Sequence, residues 1–178
     1  AEFESKNCKE NVGLFELSPF SKFELKHEKA HQELQRICTA NILNEKGKCV
    51  YTQMLNRDGG IEADLTVICM DRDYFRIISA AATRERDKYH IIKNLNHNIN
   101  LVDVTDDYCV FGLFGPKSRD LIKTLTDADI SSDNFKFATG KYIRIHECNI
   151  WIQRLSYVGE LGYELYIKNK NASEIYNL

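Results

Sequence analysis

The chain has 178 residues, 43% hydrophobic and 28% charged, with a formal net charge of −2. That length can bury one sizeable core or two small ones, and the near-neutral balance leaves no electrostatic footprint for nucleic acid or an anionic membrane. No apolar run reaches the roughly 20 residues of a membrane helix, and the opening AEFESKNCKE lacks the basic and apolar regions of a signal peptide.

In chain order, Leu17-Ser18-Pro19 reads as a turn and Lys22–Lys26 (KFELK) as a short strand. Glu28–Thr39 carries Ala30, Leu34, Ile37 and Cys38 at helical spacing, which predicts an amphipathic helix. Val50–Asn56 and Ile61–Met70 alternate as paired strands, and Tyr74–Ser79 continues as a third. Ala81–Leu95 reads as a helix with Tyr89, Ile92 and Leu95 on its apolar side. Leu101–Val104 and Cys109–Phe114 are strand-like, and Pro116 suits the start of a helix over Lys117–Leu125. Lys141–Ile145, Asn149–Ser156 and Tyr163–Ile167 add strands, and Ala172–Leu178 opens a helix. The predicted class is α+β, with mainly antiparallel sheets and flanking helices.

The six cysteines include no CxxC pair and no histidines at finger-like spacing, so no metal site is expected. Cys69 and Cys109 read as small core hydrophobes, and the scatter of thiols fits a reducing compartment, cytosol or mitochondrial matrix. His27, His31, His90, His97 and His146 read as surface or structural residues, and Trp151 as core. Glu160 reads as a turn residue, and Arg154 as a structural ion-pair partner or a contact for a ligand carboxylate.

Two hairpins carry the candidate chemistry. With Asp58-Gly59 as the centre of a type I′ turn, Gln53 opposes Asp64 and Tyr51 opposes Thr66. One face then holds Tyr51, Gln53, Leu55, Glu62, Asp64 and Thr66; the other, with Thr52, Met54, Ile61, Ala63, Leu65 and Val67, is the core face. In the second hairpin, with Gly159-Glu160-Leu161-Gly162 as the connection, Tyr157 opposes Glu164 and shares its face with Tyr166. Each hairpin then sets a tyrosine beside a carboxylate, a surface suited to a small planar ligand rich in N–H groups. Alternation alone equally describes strands with one wetted side.

The same stretches carry a resemblance. Gly13–Leu25 (GLFELSPFSKFEL), Tyr51–Leu55 (YTQML), Gly59–Leu65 (GGIEADL), Gly112–Arg119 (GLFGPKSR) and Arg154–Glu164 (RLSYVGELGYE) run in the order found in the folate-binding aminomethyltransferase family, which includes the glycine-cleavage T-protein. The likeness is strongest to the folate-binding C-terminal region of dimethylglycine and sarcosine dehydrogenases. It implies two lobes of a three-lobed fold, residues 1–178 forming one folate-binding module that lacks the third lobe and any upstream flavin domain. It implies tetrahydrofolate as cofactor, with FAD only where an upstream domain supplies it, since no Gly-rich dinucleotide fingerprint occurs in this sequence.

By motif position, Asp64 matches the family's catalytic aspartate, Tyr51 a tyrosine lining the folate site, and Tyr157 and Glu164 the residues that meet the pterin. Where the T-protein commonly shows Asp-Asp, this chain has Ala63-Asp64. The implied activity is transfer of an aminomethyl or methylene unit to N5 of tetrahydrofolate. Asp64 would manage the cationic carbon unit and the released proton, an aspartate being ionised at neutral pH. The implied partners are folate, a methylamine-type carbon donor and, as in the T-protein, a lipoyl carrier protein; neither nucleic acid nor membrane is implied. The alternative is a non-catalytic regulatory or scaffolding relative, against which the retained Asp64 argues. The cysteine-bearing signature of relatives that use folate in iron–sulfur maintenance is absent.

Overall fold

The structure is a computed structural model and describes residues 2–96 and 98–178; the reading of His97 falls outside them. The chain opens with α1 (Glu2–Glu10) and β1 (Gly13–Glu16), then runs through β2 (Ser21–Lys26) and α2 (Ala30–Ile37). β3 (Cys49–Leu55), β4 (Ile61–Asp71) and β5 (Tyr74–Ser79) form a meander, followed by α3 (Arg84–Asn94) and β6 (Leu101–Asp103). β7 (Tyr108–Phe114), α4 (Ser118–Lys123), β8 (Thr139–Ile145), β9 (Cys148–Arg154), β10 (Gly162–Lys168) and α5 (Asn169–Tyr176) complete it. No helix among the described residues is long and apolar enough to cross a membrane.

The chain divides into two compact units. Unit 1 comprises Ala1–Ser18 and Asp106–Leu178; unit 2 is Pro19–Thr105, inserted between those segments. Each holds one five-stranded sheet, with order β1-β7-β10-β9-β8 in unit 1 and β3-β4-β5-β2-β6 in unit 2. Every strand pair is antiparallel, so the α+β class read from the sequence stands.

In unit 2 one sheet face forms the core. Phe23, Leu25, Met54, Leu65, Val67, Phe75 and Ile77 pack there against Leu34 of α2 and Ile91 of α3. Each such fully buried side chain contributes about 1.5–3 kcal/mol. α2 buries the expected Ala30 and Leu34, and Ile37 and Cys38 pack at its margin. Glu33, also buried, is held by Arg36 and by the Asn96 N–H.

The expected helix over 81–95 begins as a 3-10 turn at Ala81–Thr83, and its inward face differs from the reading. Asp87 and Ile91 are buried, Leu95 packs at the core margin, and Tyr89 and Ile92 are exposed. The reason is local: the Thr83 hydroxyl donates to Asp87 at 2.6 Å, so an acidic residue can occupy the inner stripe. On the core face of the first hairpin, Thr52, Met54, Ala63, Leu65 and Val67 are buried as expected, but Ile61, next to the turn, is exposed.

The other face of the unit 2 sheet is also closed to solvent in its middle. Lys22, Glu24, Thr66, Ile68, Met70 and Arg76 are all buried. The Arg76 guanidinium donates to Glu24 Oε1 from Nη2 (2.7 Å) and Nε (3.2 Å), and the Tyr74 hydroxyl donates to the same oxygen.

In unit 1, Leu113, Ile143, Ile145, Ile150, Ile152, Leu165 and Ile167 form the core face, closed by Ile122 of α4 and Ile175 of α5. α4 runs from Ser118 to Lys123, shorter than the expected 117–125, with Lys117 as its N-cap. Cys69 is a core residue as expected. Cys109 is not, since it is only half-buried and accepts a hydrogen bond from the Ser18 hydroxyl. None of the six cysteines is in a disulfide.

Candidate functional site

Asp64 owes its position to the β3–β4 hairpin. The turn is not the two-residue type I′ form, because Asp58 does not take a positive φ. Instead the Gly59 N–H bonds to Asn56 O (3.2 Å), with Gly59 at φ +81°, and the Asn56 N–H bonds to Gly60 O (2.9 Å). The loop is therefore three residues long, with glycine in the left-handed position such loops require. The Asn56 side chain braces it by accepting from the N–H groups of Asp58 (3.0 Å) and Gly60 (2.8 Å).

The longer loop shifts the register by one, so Leu55 pairs with Ile61. A bulge beyond Leu55 then restores it, pairing Met54 with Ala63 and Gln53 with Asp64. The two irregularities cancel, and the expected face survives. On it the Tyr51 hydroxyl donates to Asp64 Oδ2 (2.8 Å) and the Gln53 amide donates to Oδ1 (3.1 Å). Asp64 is exposed and Tyr51 is 54% exposed. The bond to Asp64 is the main cause that pushes the Tyr51 phenol above its ordinary value, so it stays protonated and able to donate.

The second hairpin departs from the reading. β9 and β10 pair Glu164 with Gln153, Leu165 with Ile152 and Tyr166 with Trp151. Residues 155–161 are all connection, so Tyr157 lies in the loop, 65% exposed, and does not oppose Glu164. Gly162 belongs to β10. A Cβ there would lie 2.4 Å from the Phe114 ring, so this glycine serves close packing, and Gly159, at φ +77°, is the loop's own. The loop's far end is fastened where Leu161 O accepts from the Gly115 N–H (2.8 Å) and the Ser118 hydroxyl (3.3 Å). Glu160 sits in this loop, and Arg154 donates to Phe135 O at 2.7 Å.

Glu164 is 7% exposed. Its Oε2 accepts from the Tyr166 hydroxyl and from the Gln153 amide, each at 2.8 Å. Burial is the largest influence on it and pushes its carboxyl above the usual carboxylate range, while the two bonds work in the opposite direction. Two glycines flank this pair across the sheet, Gly140 opposite Gln153 and Gly112 opposite Glu164. A Cβ at Gly140 would lie 2.4 Å from the Trp151 ring, and one at Gly112 would lie 2.7 Å from the Phe114 ring. The bare backbone at these two positions lets an aromatic ring lie over each, one on either side of the Gln153–Glu164 pair.

Of the four residues nominated from the sequence, Tyr51 and Asp64 are brought into direct contact in unit 2, while Tyr157 and Glu164 stand apart in the register of unit 1. Gln53 was visible opposite Asp64 but passed over, and Gln153 was hidden by the misread register. Tyr166 does share the expected face with Glu164. Among the described residues, no group of three or more His, Cys, Asp or Glu is placed to hold a metal ion. A groove of about 530 Å³ in unit 1, lined by residues that include Lys123, Asp127, Arg144 and His146, contains none of the nominated side chains.

Comparison with known proteins returns a consistent set. Residues 1–178 match the family described as GCVT N-terminal domain. The chain is 35% identical over 164 residues to a 4-methylaminobutanoate oxidase (formaldehyde-forming) of Paenarthrobacter nicotinovorans, covering 92% of this chain and 20% of that protein. It is 32% identical to the mitochondrial dimethylglycine dehydrogenase of Rattus norvegicus (97% and 20%), and 32% identical to an aminomethyltransferase of Halothermothrix orenii (97% and 48%). The chain thus spans between a fifth and a half of the length of these relatives. Its fold matches the solved structure of the glycine cleavage system aminomethyltransferase T from Bartonella henselae with a TM-score of 0.85 at 20% identity, over 98% of this chain and 47% of that one.

Proposed function

This chain belongs to the GCVT aminomethyltransferase family, and from that premise we propose that it is the tetrahydrofolate-handling part of an enzyme that transfers a one-carbon unit. The observation that carries the reading is Asp64, an exposed strand carboxylate with both oxygens held by neighbouring donors, Tyr51 and Gln53. A carboxylate needed only for solubility has no use for such fixing. One needed to meet developing positive charge gains from it, because no reorganisation is then required at the moment of reaction.

Tetrahydrofolate fits the residues present. Glu164 is a buried acceptor paired with Gln153, with the Trp151 and Phe114 rings on either side of that pair, and both bonds it receives land on Oε2, so Oε1 can take the N–H groups of a pterin edge. When bound, tetrahydrofolate would supply the nucleophilic N5 that accepts the carbon unit. Asp64 offsets the charge of a cationic donor and accepts the released proton on a carboxylate oxygen. Tyr51 and Gln53 keep that carboxylate turned outward. Tyr157, carried on the 155–161 loop, offers a ring face for stacking.

The names of the oxidase and dehydrogenase relatives all denote N-methyl amines, which favours a methylamine-type donor over the lipoyl carrier route of the T-protein. Any flavin that oxidises such a donor would be held outside the residues described above. Six cysteines outside any disulfide suit a reducing compartment, and the dimethylglycine and sarcosine dehydrogenase relatives are mitochondrial.

The test is Asp64→Ala in the intact protein. Folate-dependent product formation from an N-methyl amine should fall by about 10²-fold or more, while tetrahydrofolate affinity by calorimetry stays within about threefold. Equal loss of both would reduce Asp64 to a binding residue. Absence of tetrahydrofolate binding to the unaltered protein would end the proposal.

A further inference from the structure

Gln153 is 1% exposed and lies directly opposite Glu164 on the sheet. A buried primary amide must satisfy a carbonyl and two N–H donors. Its Oε1 accepts the indole N–H of Trp151 at 3.2 Å, and its Nε2 donates to Glu164 Oε2 at 2.8 Å and lies 3.2 Å from the Tyr166 hydroxyl. The indole can only donate, so it selects one orientation of the amide. Reversed, the amide would set N–H against N–H at the indole and carbonyl against carboxylate at Glu164. The indole is itself placed by Gly140, over which it lies.

We propose that Gln153 is a positioning residue for ligand recognition: set by Trp151, it closes Glu164 Oε2 jointly with Tyr166 and so commits Oε1 to the bound heterocycle. The proposal rests on the reading of Glu164 as the pterin acceptor. It identifies an oriented row, Trp151 to Gln153 to Glu164, in which only the last residue meets the ligand. The terminal torsion of a glutamate is otherwise broad, and a carboxylate free to turn would divide its oxygens between protein donors and ligand.

The experiment is a double-variant cycle read by calorimetric titration with tetrahydrofolate, using Gln153→Met, Glu164→Gln and the pair in the intact protein. Gln153→Met keeps the length of the side chain and removes its hydrogen bonds. It should weaken tetrahydrofolate about tenfold when Glu164 is present, the scale of a hydrogen bond to a charged group, and less than twofold in the Glu164→Gln background. The turnover rate at saturating tetrahydrofolate should be unchanged, so that KM moves and kcat does not.

If Gln153→Met does not fold, Trp151→Phe, which deletes only the orienting N–H and part of a ring, takes its place in the same cycle with the same coupling expected. Losses that add across the cycle, or no loss from the Gln153 variant while Glu164→Gln weakens binding, would overturn the positioning role and leave the pterin reading standing. Unchanged affinity in Glu164→Gln would overturn the pterin reading, and the positioning role with it.

Discussion

Glu24→Gln should unfold the inserted unit at markedly lower urea concentration, although the change adds or removes no bulk. Arg76 is 0% exposed and Glu24 8% exposed, and Glu24 Oε1 takes three donors, two from Arg76 and one from Tyr74. The carboxyl lies below its ordinary value even though burial, the largest influence, pushes it up; the bonds from Tyr74 and Arg76 and the nearby positive charges outweigh that effect. The amide of glutamine preserves an acceptor but removes the Glu24 charge that faces the buried guanidinium. Breaking a buried pair from one side costs about 3–5 kcal/mol, and the retained acceptor argues for the lower end. With a urea m-value of ~1–3 kcal/mol/M, a loss of ~3 kcal/mol moves the midpoint down by ~1–3 M. The control is the double variant Glu24→Gln with Arg76→Met, which removes the buried guanidinium as well and should recover at least half of the loss. A single-variant midpoint within ~0.3 M of the parent, or a double variant no better than the single one, would refute the argument.

Two further outcomes follow from local geometry. Gly115 has φ +132°, and a Cβ there would lie 2.4 Å from Asn11 O and 2.6 Å from Cys8 O, both backbone atoms, so Gly115→Ala should cost at least ~3 kcal/mol and lower the melting temperature by ~6–12 °C; a fall under ~2 °C would contradict the clash. Burial pushes the Asp103 carboxyl up, but the bidentate bond from Arg84 and the bonds from Thr105 outweigh it and hold the group down at about 2. Its contribution is complete above the unfolded value of ~3.9 and is lost as pH falls from there through the folded one. Arg84→Gln should therefore shrink the drop in urea midpoint between pH 5 and pH 3, and an unchanged drop would count against this pairing.

The positions of most strands were readable because period-2 alternation marks them, whereas β1 and the order of strands in each sheet were not. Even the incorrect turn type left Gln53 opposite Asp64, since the bulge beyond Leu55 compensates for the extra loop residue. The second hairpin misled for a physical reason. A glycine that makes room for a ring, as Gly162 does for Phe114, looks identical in sequence to a glycine that turns the chain. α1 was missed because its nine residues bury nothing and show no apolar period. Polar strand residues such as Glu24, Arg76, Gln153 and Glu164 are buried with their partners at hand, which alternation alone does not reveal. Sequence alternation reports polarity, and polarity equals exposure only where no partner is waiting.

The interrupted path of unit 1 bears on how the protein is made. β1 leaves the ribosome early, but its sheet partner β7 is translated only after all of residues 19–105, and β10, which covers the other side of β7, comes later still. The inserted segment has no such delay, because its first and last strands, β2 and β6, bond to one another and its meander lies between them. Synthesis should thus yield a finished insert while β1 still awaits its neighbours. A nascent chain stalled before Gly162 would present the bare edge of β7 to other chains, which is where aggregation would begin.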